Sequence, residues 1–552
     1  MASFFIHLIK KYSLFLIPLF GVAIVLPEQF FHIGSVTFNF ADNWGYLTKI
    51  QQMRDFFFAW TWYIPMIVAP LSSWFCMGVG IWIHDVMLIN LIILGSIIWA
   101  WIGAYHLFLR IGWYSSTAIL GATVFAFNSL TLYANWFNLV GYMWIPFFVS
   151  ALFFETRLWK IYLFGCLLAL SGHYFLLLFI VIVLVYYAWF FGIERRWSMR
   201  WLMLHSVFLI GSLSVIWITY GVPLFLRDLG GSLVQFSAEN RISIIPLDML
   251  ELIRPNNQNF ITNTYLWIFW NDPWVPRYSA YFWIITLLLS IWGLFSPRKP
   301  LRWFFLLLFF FSLILFLGWS LQVGWYSILP FLPFQIIDWF WLSWIFRKSV
   351  YFFYLIAFSL WGLIALSGVF RTQKIIIVLL LSLGIMLENT VSFSRPVHTY
   401  EPLVRSAIPW TGTVLALPNT GYSVSKFRFL FHEIGRKVFE YPDVTIPGGE
   451  NFAEDHGLDC FSRSLIFPDS RTHRECQWTN ILPNRKFWET NMIDTIVLFK
   501  KWYTEYFFYE AKTLGPAYTN LLWKIRHFGD LFTKVYEDEM VIVYSVHREK
   551  MY

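Results

Sequence analysis

Apolar positions along this chain fall in long unbroken runs, not in the alternating rhythm of a half-buried strand or the 3.6-residue rhythm of a surface helix. The runs lie at about 12–26, 86–109, 115–136, 139–155, 161–175, 176–192, 201–226, 277–296, 303–319, 349–370 and 375–391. Many approach or exceed the ~20 residues needed to cross a hydrocarbon core. The pattern therefore predicts about eleven transmembrane helices, with 161–192 readable either as a short pair or as one long tilted helix. The first run follows Lys10-Lys11 and ends at Pro27-Glu28 without a small-x-small cleavage site, so it reads as a retained helix in preference to a signal peptide.

Charge between the runs predicts sidedness. Alternate loops carry Lys10 and Lys11, Arg110, Arg157 and Lys160, Arg195 with Arg196 and Arg200, Arg298 with Lys299 and Arg302, and Arg371 with Lys374. Short basic loops face the cytoplasm, which puts the N-terminus inside and the tail outside. The alternation requires that 63–83, with two prolines and several small residues, does not cross fully; it reads as a re-entrant or outer-surface element. The expected fold class is a polytopic α-helical membrane protein, N-in and C-out, with a transmembrane domain over 1–391. Its large outer loops are 31–85, in which 44–58 reads as an interfacial helix, and 227–276.

From about Ser392 the rhythm changes. GTVLALP (412–418) and TIVLFK (495–500) read as buried strands, KVYEDEMVIVYSV (534–546) as two strands around an acidic turn, and 516–528 as a helix. Residues 392–552 thus form an extracytoplasmic domain of α/β or α+β type.

Composition narrows the class. Of 552 residues 58% are hydrophobic, 22% aromatic and 13% charged, against roughly 25% charge in soluble chains. A soluble enzyme, a disordered chain and a collagen-like fibre are excluded. The net charge of +8 belongs to the basic loops, so no nucleic-acid partner is implied. Cys76 and Cys166 sit in apolar sequence. Cys460 and Cys476 lie in the outer tail, where an oxidising compartment permits a disulfide contributing on the order of 3 kcal/mol, or leaves two thiols.

Ionisable groups near a membrane are where chemistry is first sought. Asp42, in FNFADNWGYLTK, suits either a general base towards a hydroxyl or the N-cap of the helix it opens. Asp85, after His84, suits a helix cap or one ligand of a divalent cation such as Mg or Mn. His173, in LALSGHYF, faces either a polar cavity or packed neighbours. Arg227, Asp228, Glu239, Arg241, Glu251 and Arg254 cluster in the second outer loop, as phosphate binders or as ordinary salt bridges. Arg347-Lys348 suit a lipid phosphate or interfacial snorkelling. There is no GxSxG, HExxH, Walker or kinase signature.

The order of these stretches resembles the bacterial YfhO-like membrane proteins of the GT-C glycosyltransferase superfamily, over about 36–548. The carriers are ADNWGYLTKIQQMRDFF, LRIGWYSSTAILGATVFAFNS with NWFNLVGYMWIPFFVSALFF, LALSGHYFLLLF, and GVPLF with SAENRISIIPLDMLELIRPN. RYSAYFWIITLLLSIWGLF, LPFQIIDWFWLSWIFRKSVYFFY, TGTVLALPNTG and FLFHEIGRKVF continue the series. The chain departs from the family in lacking the common glycine before Asp42 and the later proline and arginine after Arg347. The resemblance implies an inverting transferase in the bacterial cytoplasmic membrane, taking a sugar from a polyprenyl-phosphate carrier to a glycan, lipid or protein acceptor on the outer face. Asp42 would be the base; Arg347, then Arg241 and Arg254, would bind the phosphate, with His173 nearby and Asp85 able to position a divalent ion. A noncatalytic scaffold or assembly factor for surface polysaccharide has the same outline. A transporter fits less well, because the central runs are nearly charge-free and show no repeat.

Overall fold

The computed structural model describes residues 15–34, 36–38, 70–79, 82–112, 114–128, 137–155, 157–194, 290–295, 299–318, 321–323, 326–329, 349–367, 375–389, 397–399, 413–417, 430, 437–438, 488–489, 492–500, 522–523, 525–527, 529–539 and 541–550. The chain divides into two compact units, Met1–Thr37 with Thr61–Arg395, and Phe38–Trp60 with Pro396–Tyr552. The stretches 44–58, 201–226 and 227–276, read above as an interfacial helix, a span and an outer loop, lie outside the described residues.

The first unit is helical. Its helices are α1 (Phe15–Val25), α2 (Pro27–Phe31), α3 (Pro70–Val79), α4 (Asp85–Gly112), α5 (Ser115–Ala126), α6 (Ile145–Phe154), α7 (Leu158–Leu170), α8 (His173–Trp189), α9 (Lys299–Phe316), α10 (Phe353–Ser367) and α11 (Ile375–Asn389). The 28 residues of α4 rise about 42 Å, with Asp85 in the first turn and Arg110 in the last, each the sign its helix end favours. Two residues separate α4 from α5, so the two run back along each other. Trp101 Nε1–H donates to Thr123 Oγ1 at 3.1 Å, and that hydroxyl donates to the Ile119 carbonyl at 2.9 Å.

At the centre stands α10, apolar on every side and buried from Phe353 to Leu366. A helix without a polar face has to be enclosed. Phe358 meets Phe108, Phe125 and Phe305 with ring centroids 5.8, 5.5 and 6.0 Å away. Glycine allows the closest approaches: a Cβ on Gly112 would stand 2.7 Å from the Ala365 carbonyl oxygen, and one on Gly362 2.3 Å from the Phe305 ring. Small residues at helix crossings are the device by which helices pack in lipid. Gly318, at φ 74°, closes α9 in the left-handed conformation that a glycine adopts without strain.

The periphery of this unit is apolar too. α11 presents Ile375, Ile376 and Leu380 outward, with Leu380 63% exposed, and α9 presents Phe310 and Phe311. In water those positions would carry charge; hydrocarbon is the solvent they fit, and the unit is that of an integral membrane protein. Two described helices, Asp85–Gly112 and Tyr174–Ile193, are long and apolar enough to cross a membrane, beside shorter apolar helices of 10–17 residues. α3 has 10 residues and rises about 15 Å, half of a hydrocarbon core.

Within 161–192 the chain forms a pair of helices, and the break falls at Ser171-Gly172, not at 175/176. The signal was in LALSGHYF: Ser171 Oγ–H returns to the Leu167 carbonyl at 2.6 Å, and Gly172 brings no side chain to hold a helix together. α7 and α8 fold tightly back, with the Phe179 ring against Gly165. α8 runs on into a π turn over Phe190–Glu194.

Several of the basic loops gather at one end. Glu155, between α6 and α7, accepts from Lys160 at 2.8 Å and faces Arg110 at 3.9 Å. Phe153 packs edge-on against Trp189 and Phe304, and Trp189 Nε1–H donates to the Pro300 carbonyl, which joins the ends of α6 and α8 to the start of α9. The hydrogen bond from Lys160, then the charges of Lys160, Arg110 and Arg157, hold the Glu155 carboxyl below its ordinary range against the opposing pull of burial.

The second unit carries a five-stranded mixed sheet of β3 (Thr413–Leu417), β4 (Lys437–Val438), β5 (Ile493–Phe499), β6 (Phe532–Glu537) and β7 (Val541–Val546), in the order β4-β3-β5-β7-β6. A two-stranded ribbon, β1 (Leu321–Val323) and β2 (Tyr326–Leu329), belongs to the first unit. β3 is parallel to β4 and β5, whereas β7 runs antiparallel to β5 and β6. Central β5 is buried along nearly its whole length, as a strand covered on both faces should be. β6, at the edge, exposes Thr533, Lys534 and Val535, and charge on an edge strand discourages pairing with another chain. The acidic turn is held by Asp538: its Oδ1 accepts from the Val541 N–H at 2.7 Å and its Oδ2 from the Tyr536 hydroxyl at 3.0 Å.

Candidate functional site

The end of the helical unit away from Glu155 is lined by tyrosines and amides, with Asp85 at the head of α4. Tyr142, in the 3-10 turn Phe137–Trp144 that leads into α6, donates through its hydroxyl to the Ala126 carbonyl at 3.4 Å and stacks on Tyr354 at 5.1 Å. Pro146 fixes where α6 proper begins. Tyr174, one residue into α8, packs against Tyr351 with centroids 4.0 Å apart, and Phe175 reaches Tyr354 at 6.3 Å. Gly141 lets this turn settle directly onto Ser171 and Phe175. Asn128 closes α5 by donating to the Phe125 carbonyl at 2.7 Å, and Asn90, wholly buried in α4, donates to the Ile33 carbonyl at 2.8 Å. The amide of Asn90 thereby ties the chain leaving α2 to the head of α4.

Of the residues singled out by sequence for chemistry, His173 and Asp85 fall on described elements. His173 is the first residue of α8, so the helix start that carries it lies beside the Ser349–Phe352 turn, brought there by the Tyr174–Tyr351 contact. That turn begins two residues after Arg347. Asp85 opens α4 and is 8% exposed, a position in which the helix N-terminus stabilises a carboxylate. Asp42, Arg241, Arg254, Arg347, Cys460 and Cys476 lie outside the described residues, as do Arg227, Asp228, Glu239, Glu251 and Lys348. Cys76 is buried and Cys166 half-buried, and both are thiols.

Sequence reading missed the tyrosine group. Tyr142, Tyr174, Tyr351 and Tyr354 come from three separate apolar runs, and nothing in each run distinguishes them from the other aromatics; only the hydroxyl, in a segment otherwise Phe and Leu, hints at a polar end. For a divalent ion, the described residues contain no group of three or more His, Cys, Asp or Glu side chains. Asp85 supplies one carboxylate, short of the six to eight oxygens of a calcium site or the carboxylates that hold magnesium.

No protein-family model matches the chain, and no curated protein does. Among solved structures the chain is similar to the crystal structure of ArnT from Cupriavidus metallidurans bound to undecaprenyl phosphate, with 9% identity, a TM-score of 0.49, and coverage of 96% of this chain and 97% of that one. A likeness at that level assigns no role to any residue here. What the described residues establish is a lipid-facing bundle with a charged end and an aromatic, amide-bearing end, and a separate mixed-sheet unit.

Proposed function

We propose that this chain is a GT-C-type membrane glycosyltransferase that moves a sugar from a polyprenyl-phosphate carrier to a cell-envelope acceptor on the outer face of the cytoplasmic membrane. The observation that carries the reading is the ordered series of motifs beginning with ADNWGYLTKIQQMRDFF, which sets a carboxylate, Asp42, in the loop after the first apolar helix. Two features of the bundle support it. Its outer face is apolar enough to admit a lipid-borne donor, and the helix start at His173 meets the turn that follows Arg347.

In the proposed reaction the acceptor hydroxyl attacks the anomeric carbon. The acceptor O–H bond breaks as Asp42 takes the proton, the new C–O bond forms, and the bond from the anomeric carbon to the carrier phosphate breaks with inversion. The leaving phosphate gains charge, so a fixed guanidinium beside it stabilises the transition state more than the ground state. Arg347 is assigned that role, with Arg241 and Arg254 behind it, and no step is routed through a metal.

Asp42→Asn removes the base while keeping the side chain's size. Membranes from cells bearing the variant, incubated with radiolabelled polyprenyl-phosphate sugars, should transfer no label although the protein is inserted normally; wild-type turnover would refute the assignment. Arg347→Ala should weaken carrier binding, and unaltered binding would make this arginine an interfacial anchor. A deletion strain whose membranes transfer every labelled sugar as well as the wild type does would favour the scaffold reading.

A further inference from the structure

The sheet unit contains a hollow of about 530 Å³, within the size range of small-molecule sites. It is walled on one side by one face of the β6–β7 hairpin and on the other by the helical residues around Leu522 and Ile525. Its charged lining is Lys500, Arg526, Lys534 and Glu537: three cations and one carboxylate.

The backbone explains how these groups meet. Residues two apart on a strand share a face, so Lys534 and Tyr536 should point the same way. The register shifts between them: Lys534 pairs with Tyr544, Tyr536 with Val543 and Glu537 with Ile542. Val535 is therefore the extra residue of a β-bulge, and beyond it the alternation is reversed. Phe532, Lys534 and Glu537 line one face together with Ile542 and Tyr544, and Tyr536 turns to the other.

Glu537 then holds two ammonium groups apart. Its Oε1 accepts from Lys500 Nζ at 2.6 Å and its Oε2 from Lys534 Nζ at 2.8 Å, while Lys500 also donates to the Asp538 carbonyl at 2.6 Å. Each ammonium has three donors, and the bonds to described residues leave one N–H on Lys500 and two on Lys534. Arg526 has no acidic partner among the described residues, and its positive charge acts on Lys534. The lining thus holds two cationic charges that its own carboxylate does not balance, above the buried side chains of Phe532 and Tyr544.

We propose that this hollow binds a small organic anion, whose phosphate or carboxylate lies between Arg526 and Lys534. A charge-assisted anion contact accounts for the like-charged pair. The site lies within the sheet unit.

The test uses the full chain in detergent, titrated calorimetrically with glucose 1-phosphate, with glucuronate and with neutral glucose. At least one anionic probe should bind ten-fold or more tightly than glucose, and whichever is tighter identifies phosphate or carboxylate as the preferred group. Arg526→Gln, at an exposed position, should weaken that binding at least five-fold; Lys534→Gln should do the same. Equal binding of all three probes, no binding of either anion, or anion binding untouched by Arg526→Gln would each overturn the proposal.

Discussion

The two units solve the same problem in opposite solvents. In the helical unit the closest packing is central, around α10, and the outward positions are as apolar as the inward ones: Leu380 is exposed and Phe358 is buried, and neither could be told from the other by residue type. In the sheet unit the outward positions are polar, as at Thr533 and Lys534, and the apolar residues of β5 and β7 turn inward. Burial in the second follows from transfer out of water. In the first, lipid tails are as apolar as the side chains, so association rests on close fit and hydrogen bonds. Gly112 against Ala365 and Trp101 on Thr123 are the kinds of contact that decide there.

That contrast can be broken from either side. The largest effect is expected from an acid on the lipid-facing side: Leu380→Asp should destabilise insertion of α11 by about 3 kcal/mol, whereas Val535→Asp on the exposed edge of β6 should stay within about 0.5 kcal/mol. Glycosylation-tag insertion assays on the two variants measure the first difference and thermal unfolding of the purified chain the second. Next comes fit. Gly112→Val drives a side chain into the Ala365 carbonyl and should cost about 2 kcal/mol or more, read as loss of monodisperse protein in detergent. Thr123→Val leaves the Trp101 N–H without its acceptor and should cost about 1 kcal/mol, with Thr123→Ser retaining most of the stability.

The smallest effect is confined to the sheet unit. Hydrogen bonds from Lys500 and Lys534 draw the Glu537 carboxyl from 4.5 down to about 2. A carboxyl depressed in the folded state stabilises fully above its unfolded value and loses that contribution as pH falls through the folded one. The wild-type sheet unit should therefore weaken between about pH 4.5 and 2, and Glu537→Gln should flatten that part of the profile while leaving the neutral-pH profile of the helices in place. Hydrogen exchange of the β5 and β7 amides, corrected for its intrinsic pH dependence, separates Glu537→Gln from the wild type.

How much of this was legible in the sequence follows from the range of each interaction. The apolar run 86–109 lies inside α4, and GTVLALP, TIVLFK and KVYEDEMVIVYSV became β3, β5, β6 and β7, because run length, β-branched residues and a turn-forming Asp are local signals. The run 115–136 promised more helix than α5 has; it ends at Ala126, where Asn128 takes a main-chain carbonyl. A break at Ser171-Gly172 was readable from a Ser-Gly pair that apolar counting overlooked. Parallel pairing of β3 with β4 and β5 was not readable, since it joins segments far apart in sequence. The tyrosine end and the cationic hollow were invisible for that reason, the second doubly so because a single extra residue at Val535 decides which side chains share a face. Asp42 and Arg347 stand as sequence expectations carried into the proposed reaction.

The two-residue link at Ser171-Gly172 decides which helix ends are neighbours. Helices joined that tightly turn back on each other, so the start of α7 and the finish of α8 are held at one end of the bundle. A flexible insert between Ser171 and Gly172 would be the way to uncouple them.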